Sequence, residues 1–253
     1  MEAVSLKQAG DKTVGTSAFE GVGAGMLCPH DLLWIEDAKA LTTLTPLPSW
    51  ASADRLLLLR APVVVRREKV GDPRLVPVGL RGKTRSERFA AYLDRNAVAR
   101  CIRPEMMVEH APAHIEEQRS RLPAFEALAV LAPALDAIGL PWGPTGGVGF
   151  QLASRLPVVR EDSDLDILLR SRTPLSAEQM LGLRTICSSP ICRIDIQIDT
   201  GHGAFSFCEW AKVNAQWANG NGRVLLKTDA GPVLTTDPWR TNNWQDATSV
   251  NPS

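Results

Sequence analysis

Asp164 and Asp166 are the residues of this chain whose types and spacing most directly suggest chemistry. On a strand, carboxylates at i and i+2 project from the same face, about 7 Å apart by Cα, and can share a pair of hard cations. Two cations about 3.5–4 Å apart stabilise both the attacking and the leaving oxygen of an in-line phosphoryl displacement. Such a site takes a third carboxylate from a neighbouring strand. Asp195 is the best candidate, because Cys192–Asp199 alternates strictly. Ile194, Ile196 and Ile198 fall on one face, and Arg193, Asp195, Gln197 and Asp199 on the other. Asp199 is the reserve.

The stretch before the pair, Pro141 to Gly147, reads as a turn rich in glycine and proline. Backbone N–H groups in such a turn can cradle phosphate oxygens, since glycine permits close approach and positive φ. Neither a Gly-Gly turn nor an Asp-x-Asp is specific alone. Their order is more informative: Gly turn, helix, Asp-x-Asp strand, then an acid on a later strand. It points to metal-assisted transfer of a phosphate-containing group. Ser163 can cap or orient the acidic pair, or simply begin the strand.

The elements that position these residues follow from periodicity. Pro123 suits a first helical turn, and Phe125, Leu128, Leu131 and Leu135 continue at helical spacing, with a kink at Pro133 and a stop at Gly139. A short helix is expected over 148–154. Ser176–Gln179 and Ser206–Glu209 read as capping boxes opening helices to about Ile186 and Gly220. Arg223–Lys227 and Val233–Thr236 form a hairpin about Asp-Ala-Gly-Pro. This half is therefore an α/β (α+β) arrangement with a mixed sheet and flanking helices.

The N-terminal half reads as a smaller α+β unit. A strand or helix start is expected at Leu32–Ile35, a loop at 42–52, strands in Arg55–Arg60 and about Val63–Val65, and another in Val76–Gly82. Thr84–Glu87 fits a capping box, with a helix running to about Val98 and burying Phe89, Leu93 and Ala97. Residues 105–121 are taken as a connection. His110 and His114 have the spacing of helical metal ligands, but Pro112 between them argues against that role. The expected divisions are a flexible leader (1–25), a basic N-terminal domain (26–118), a catalytic domain (119–245) and a flexible tail (246–253).

Composition limits the function classes. The 253 residues are 44% hydrophobic and 22% charged, enough for one large core or two modest ones. No apolar run reaches the ~18 residues of a membrane span, and the first residues lack the apolar core of a secretory signal. Five cysteines without a C-x-x-C pair suggest reduced, mostly buried thiols and a cytoplasmic protein. Twenty-eight basic and 28 acidic residues cancel, which argues against broad nucleic-acid binding. From Arg55 to Arg103, however, 13 basic residues face 4 acidic ones. That surplus fits a polyanionic ligand or partner, or a solvated basic face.

The order of motifs resembles the nucleotidyltransferase fold. Within it, W-G-P-T-G-G-V-G-F-Q-L-A-S at 142–154 and S-D-L-D at 163–166 resemble the malonate decarboxylase holo-acyl-carrier-protein synthase family, or phosphoribosyl-dephospho-CoA transferases. HDLLW at 30–34, VPVGLRG at 76–82, RSERFAA at 85–91 and DPW at 237–239 extend the likeness. It implies transfer of a phosphoribosyl-dephospho-CoA arm from triphosphoribosyl-dephospho-CoA to a serine of the malonate decarboxylase acyl-carrier protein, with diphosphate leaving. It implies Mg²⁺, or Mn²⁺, on Asp164, Asp166 and Asp195, with Asp195 also accepting the serine proton. Thr145, Gly146 and Gly147 would hold the triphosphate, and Arg81, Arg85 and Arg88 would meet a phosphate or the carrier. Neither nucleic acid nor membrane is an expected partner. The alternatives are the citrate lyase carrier synthase, a nucleotidyltransferase using an ordinary NTP, and a non-catalytic binding module.

Overall fold

In the computed structural model, which describes residues 26–52, 60–84, 86–110, 115, 122–216, 222–241 and 245–246, period-two hydrophobicity builds two sheets. The first joins β1 (Leu32–Ile35), β2 (Leu41–Thr42), β3 (Val63–Val65), β4 (Leu75–Arg81), β5 (Arg88–Asp94) and β6 (Val98–Ile102) in the order β2-β5-β4-β3-β1-β6. All its pairings are antiparallel. In β4 the alternation is complete: Val76, Val78 and Leu80 are buried and the residues between them half-buried. With Leu33, Ile35, Val63, Val65 and Leu93 they form a core on one face of the sheet.

The second sheet contains β7 (Trp142–Pro144), β8 (Leu165–Arg170), β9 (Ile194–Asp199), β10 (Gly203–Ser206), β11 (Val224–Thr228), β12 (Gly231–Thr235) and β13 (Gln245–Asp246). Their order is β13-β12-β11-β10-β9-β8-β7. The pairing of β8 with β9 is parallel and the others are antiparallel, so the sheet is mixed, as expected. Six α-helices accompany the sheets among the described residues: α1 (Ser49–Ser52), α2 (Pro104–His110), α3 (Pro123–Ala137), α4 (Gly146–Ser154), α5 (Ala177–Cys187) and α6 (Phe207–Gln216). A parallel pair needs a crossover, and α5 supplies it between β8 and β9. Its capping box is complete, with Ser176 Oγ accepting from Gln179 N–H and Gln179 Oε1 accepting from Ser176 N–H. In α3, Phe125, Leu128 and Leu135 are buried, and Gly139 takes φ +72° just beyond the helix.

Several expectations are corrected. The segment 88–94, read as part of a helix, is strand β5. Phe89 and Leu93 lie four apart, a spacing that serves period two as well as period 3.6. The apparent capping box closes a hairpin instead: Glu87 Oε2 accepts from Thr84 N–H, and Arg81 pairs with Arg88. The 42–52 loop contains α1, and the supposed connection after 104 begins with α2, whose Met107 is buried in a separate core with Phe125, Phe150 and Ile167. The expected glycine turn divides: Trp142–Pro144 is strand β7, Thr145 is the bend, and Gly146 and Gly147 open α4. Cys187 and Cys208 form a disulfide from the end of α5 to the start of α6, against the expectation of reduced thiols. The leader, Leu56–Leu59, Arg85, His114 and the tail from 247 lie outside the described residues.

Candidate active site

The turn from β7 into α4 places backbone and carboxylate against each other. Thr145 precedes α4 in an extended conformation, and its N–H donates to Asp166 O at 2.8 Å, locking the turn to β8. Gly146 opens the helix at φ +57°, where a Cβ would collide with the Asp166 carboxylate. Only glycine permits both that backbone conformation and that approach. The first-turn N–H groups of α4, with the positive end of its dipole, make an anion-binding terminus. Asp166 thus sits beside a site suited to phosphate.

A cleft of about 100 Å³ opens there. Arg81 and Arg88 enter from the facing strands β4 and β5, Lys83 from their hairpin, and Arg160 from the loop after α4. These four cations surround Asp164, Asp166 and Gly147. The loop is anchored by Gln151, whose Oε1 accepts N–H bonds from Val158 and Val159, both at 2.9 Å. The Ser163 hydroxyl accepts from Arg160 N–H at 2.9 Å and so shapes the turn that carries that arginine. Arg160 was missed in the sequence because it stands in a mixed-charge run, Arg-Glu-Asp-Ser-Asp, with no periodicity. Arg85 is outside the described residues.

Asp195 is the register partner of Asp166 across β8 and β9, so both carboxylates project from one face of the sheet. Its Oδ1 accepts from Ser206 Oγ at 3.3 Å, and it lines a neighbouring hollow with Arg193 and Ser206. Asp164 lies 3.6 Å from the exposed Arg193 guanidinium. Among the described residues, no three His, Cys, Asp or Glu side chains converge as a ready metal cluster. Asp164 immediately precedes β8 and Asp166 is its second residue; an all-oxygen pair so placed nevertheless suits Mg²⁺, which binds through one or two carboxylates plus substrate phosphates rather than a complete protein cage.

Asp199, the reserve ligand, is committed elsewhere. Its Oδ2 accepts from Arg170 at 3.1 Å and from Arg67 at 3.0 Å. Arg170 also contacts Glu105 at 2.5 Å and lies 3.7 Å from buried Asp31. This network joins the first sheet to the second. Burial pushes Asp31 up to about 6, although the Cys28 N–H and Arg170 pull the other way. Burial, then Arg67 and Arg170, lowers neighbouring His30 to about 4. Trp142 is core: its indole donates to Asp136 at 2.8 Å. Trp239 of the Asp-Pro-Trp run packs edge-on against Phe205 and donates to Ser171 O, which makes it a packing residue.

Known proteins resemble this chain along most of its length. Residues 28–104 match the family described as Phosphoribosyl-dephospho-CoA transferase MdcG N-terminal domain, and residues 111–238 match its C-terminal domain. A phosphoribosyl-dephospho-CoA transferase of Pseudomonas putida is 42% identical over 83% of this chain and 94% of its own length. Those of Pseudomonas aeruginosa (40%, over 84% and 93%) and Klebsiella pneumoniae (37%, over 83% and 95%) are similar along the same span. No solved structure matches the chain. Fold and relatives together define an α+β transferase. More particularly, the chain belongs to the phosphoribosyl-dephospho-CoA transferase family.

Proposed function

We propose that the protein attaches a phosphoribosyl-dephospho-CoA arm to a serine of the malonate decarboxylase acyl-carrier protein. The donor is 2′-(5″-triphosphoribosyl)-3′-dephospho-CoA, and diphosphate leaves. The observation that carries this reading is the Asp166 carboxylate seated against Gly146 at the α4 N-terminus, in a cleft bearing four cations.

The first-turn N–H groups of α4 (Gly146, Gly147), with Thr145 before them, orient the donor triphosphate. Arg81, Arg88, Lys83 and Arg160 offset its charge, and Ser163 holds the Arg160 turn. The carrier serine oxygen bonds to the α-phosphorus as the bond to the departing diphosphate breaks. Asp195, aligned by Ser206, accepts the serine proton. Asp164 and Asp166, together with donor phosphate oxygens, would hold Mg²⁺, which when bound neutralises charge on the transferred group.

Intact-mass analysis of apo-carrier incubated with the protein, Mg²⁺ and the donor tests this. A gain equal to the phosphoribosyl-dephospho-CoA arm, lost when the carrier serine is replaced by alanine, is the expected result. No gain on the malonate decarboxylase carrier would sink the proposal, and a gain on a citrate lyase carrier alone would reassign the partner.

A further inference from the structure

The first sheet buries one face in its own core and turns the other toward α4 and the second sheet. On that second face Leu32 pairs with Val64, Val64 with Gly79, Gly79 with Ala90, and Arg81 with Arg88. Directly paired residues project to the same side, so these residues form a floor with arginines at one end. The middle of the floor is low, because Gly79 has no side chain and Ala90 has only a methyl. A Cβ at Gly79 would meet nothing closer than the flexible Arg66 side chain at 3.5 Å, and its φ is not positive. Neither backbone nor packing requires glycine here. What its absent side chain leaves is space.

That space is a cavity of about 540 Å³, within the about 300–1,000 Å³ typical of small-molecule sites. It is graded along its length. One end shares Asp166, Arg81 and Arg88 with the phosphate cleft. The middle lies between the low floor and Phe150 of α4, whose ring has the Arg81 guanidinium 5.2 Å from its centre. The cavity lining also includes Lys227 of β11 and, just past β3, Arg66, which pairs with Glu68, and Arg67, which pairs with Asp199 and Asp229.

We propose that this cavity binds the adenosine diphosphate portion of the donor, with the nucleoside over Gly79 and Ala90 against Phe150, and the 5′-diphosphate near Arg66 and Lys227. The assignment rests on the transferase reading above. In the donor, the reactive triphosphate, the attached ribose, a flat nucleoside and a second anionic group follow one another, and the cavity presents complementary chemistry for each. A planar base gains from an aromatic wall, and a diphosphate from flanking cations. The basic residues of the N-terminal segment that line this face thereby serve the donor.

Calorimetry on the full-length protein with dephospho-CoA, ADP and 4′-phosphopantetheine as separate probes tests the assignment. Wild type is expected to bind dephospho-CoA and ADP, and 4′-phosphopantetheine at least tenfold more weakly. Gly79→Leu, which fills the cavity, should weaken both nucleotides at least tenfold. Lys227→Glu, at an exposed strand position, should weaken them several-fold, and it decides the matter should Gly79→Leu fail to fold by circular dichroism. Absence of ADP binding, wild-type affinity in both folded variants, or tighter binding of 4′-phosphopantetheine than of ADP would each overturn the assignment. The carrier mass assay on the same preparation separates the two claims. Arm transfer without ADP binding sinks the cavity assignment alone, and ADP binding without arm transfer to any carrier sinks the reaction.

Discussion

Asp166 and Asp195 are direct partners across the parallel pairing of β8 and β9. Adjacent strands run about 4.8 Å apart, so two carboxylates are fixed on one sheet face, with Asp164 two residues before the first. Like charges so placed cost stability unless something positive joins them. Arg193, Arg160 and the α4 terminus supply part of that charge.

Replacing these acids should therefore separate activity from stability. Asp164→Asn and Asp166→Asn are expected to abolish arm transfer in the mass assay while leaving the thermal midpoint unchanged or slightly raised. Asp195→Asn should lower kcat by about 10²–10⁴-fold, the usual loss when a general base is removed. Near-wild-type kcat in any of the three would remove that residue from the site.

The neighbouring glycines should behave in opposite ways. Gly146→Ala imposes a positive φ on an L side chain, costing about 1 kcal/mol, and displaces the Asp166 carboxylate. Transfer should fall nearly as far as in Asp166→Asn. At Gly147 a Cβ would meet Val159 at 3.6 Å and Arg81 at 3.7 Å, ordinary contacts. Gly147→Ser should keep its fold and retain transfer within a few-fold. Equal losses in the two variants would mean that helix-start flexibility, rather than close approach to Asp166, is what matters.

The contrast between these glycines was not legible in the sequence, where both belonged to one phosphate-holding turn. Composition and spacing did reveal the acidic pair, the alternating strand and the complete Ser176–Gln179 box, because each is a local signal. The helix assigned to 88–94 failed where a spacing of four fits two periods, and the choice went to β5 through its long pairing with β4. Arg160 and Gln151 were invisible for a different reason. Their roles depend on a loop folding back over α4, and nothing local marks that. The Asp199 pairing is likewise non-local: Arg67 lies 132 residues away.

Arg170 provides the matching test of the sheet-to-sheet network. Its guanidinium faces Glu105, Asp199 and Asp31 at once. Arg170→Met leaves these acids close together without that cation, and removing one partner of a buried pair costs about 3–5 kcal/mol. We expect a loss of that order in urea unfolding. A loss below about 1 kcal/mol would show that Arg67 alone holds Asp199.

The Cys187–Cys208 bridge closes a segment of sequence separation 21. On chain-entropy grounds a loop of that length contributes about 3 kcal/mol. Cys208→Ser, or a reductant added to wild type, should lower the thermal midpoint, and the two effects should not add. Free-thiol titration giving all five cysteines in the unreduced protein would exclude the bridge.

His30 and Asp31 make an opposed pair in pH. Asp31 is raised by burial from 3.8 to about 6, so its contribution to stability is complete below pH 3.8 and lost as pH rises through 6. His30 is lowered from 6.5 to about 4, so its contribution is complete above pH 6.5 and lost as pH falls through 4. Each displacement corresponds to about 3 kcal/mol across its window, and the windows largely overlap with opposite slopes. Between pH 4 and 6.5 the pair should therefore leave wild-type stability nearly flat. Asp31→Asn keeps an acceptor for the Cys28 N–H and should expose the His30 slope, with stability falling toward pH 4. His30→Asn tolerates the positive φ at this position and should expose the Asp31 slope, with stability rising as pH falls. Urea unfolding of the three proteins at pH 4, 5, 6 and 7 reads these slopes, and parallel profiles would show that neither group titrates across this window.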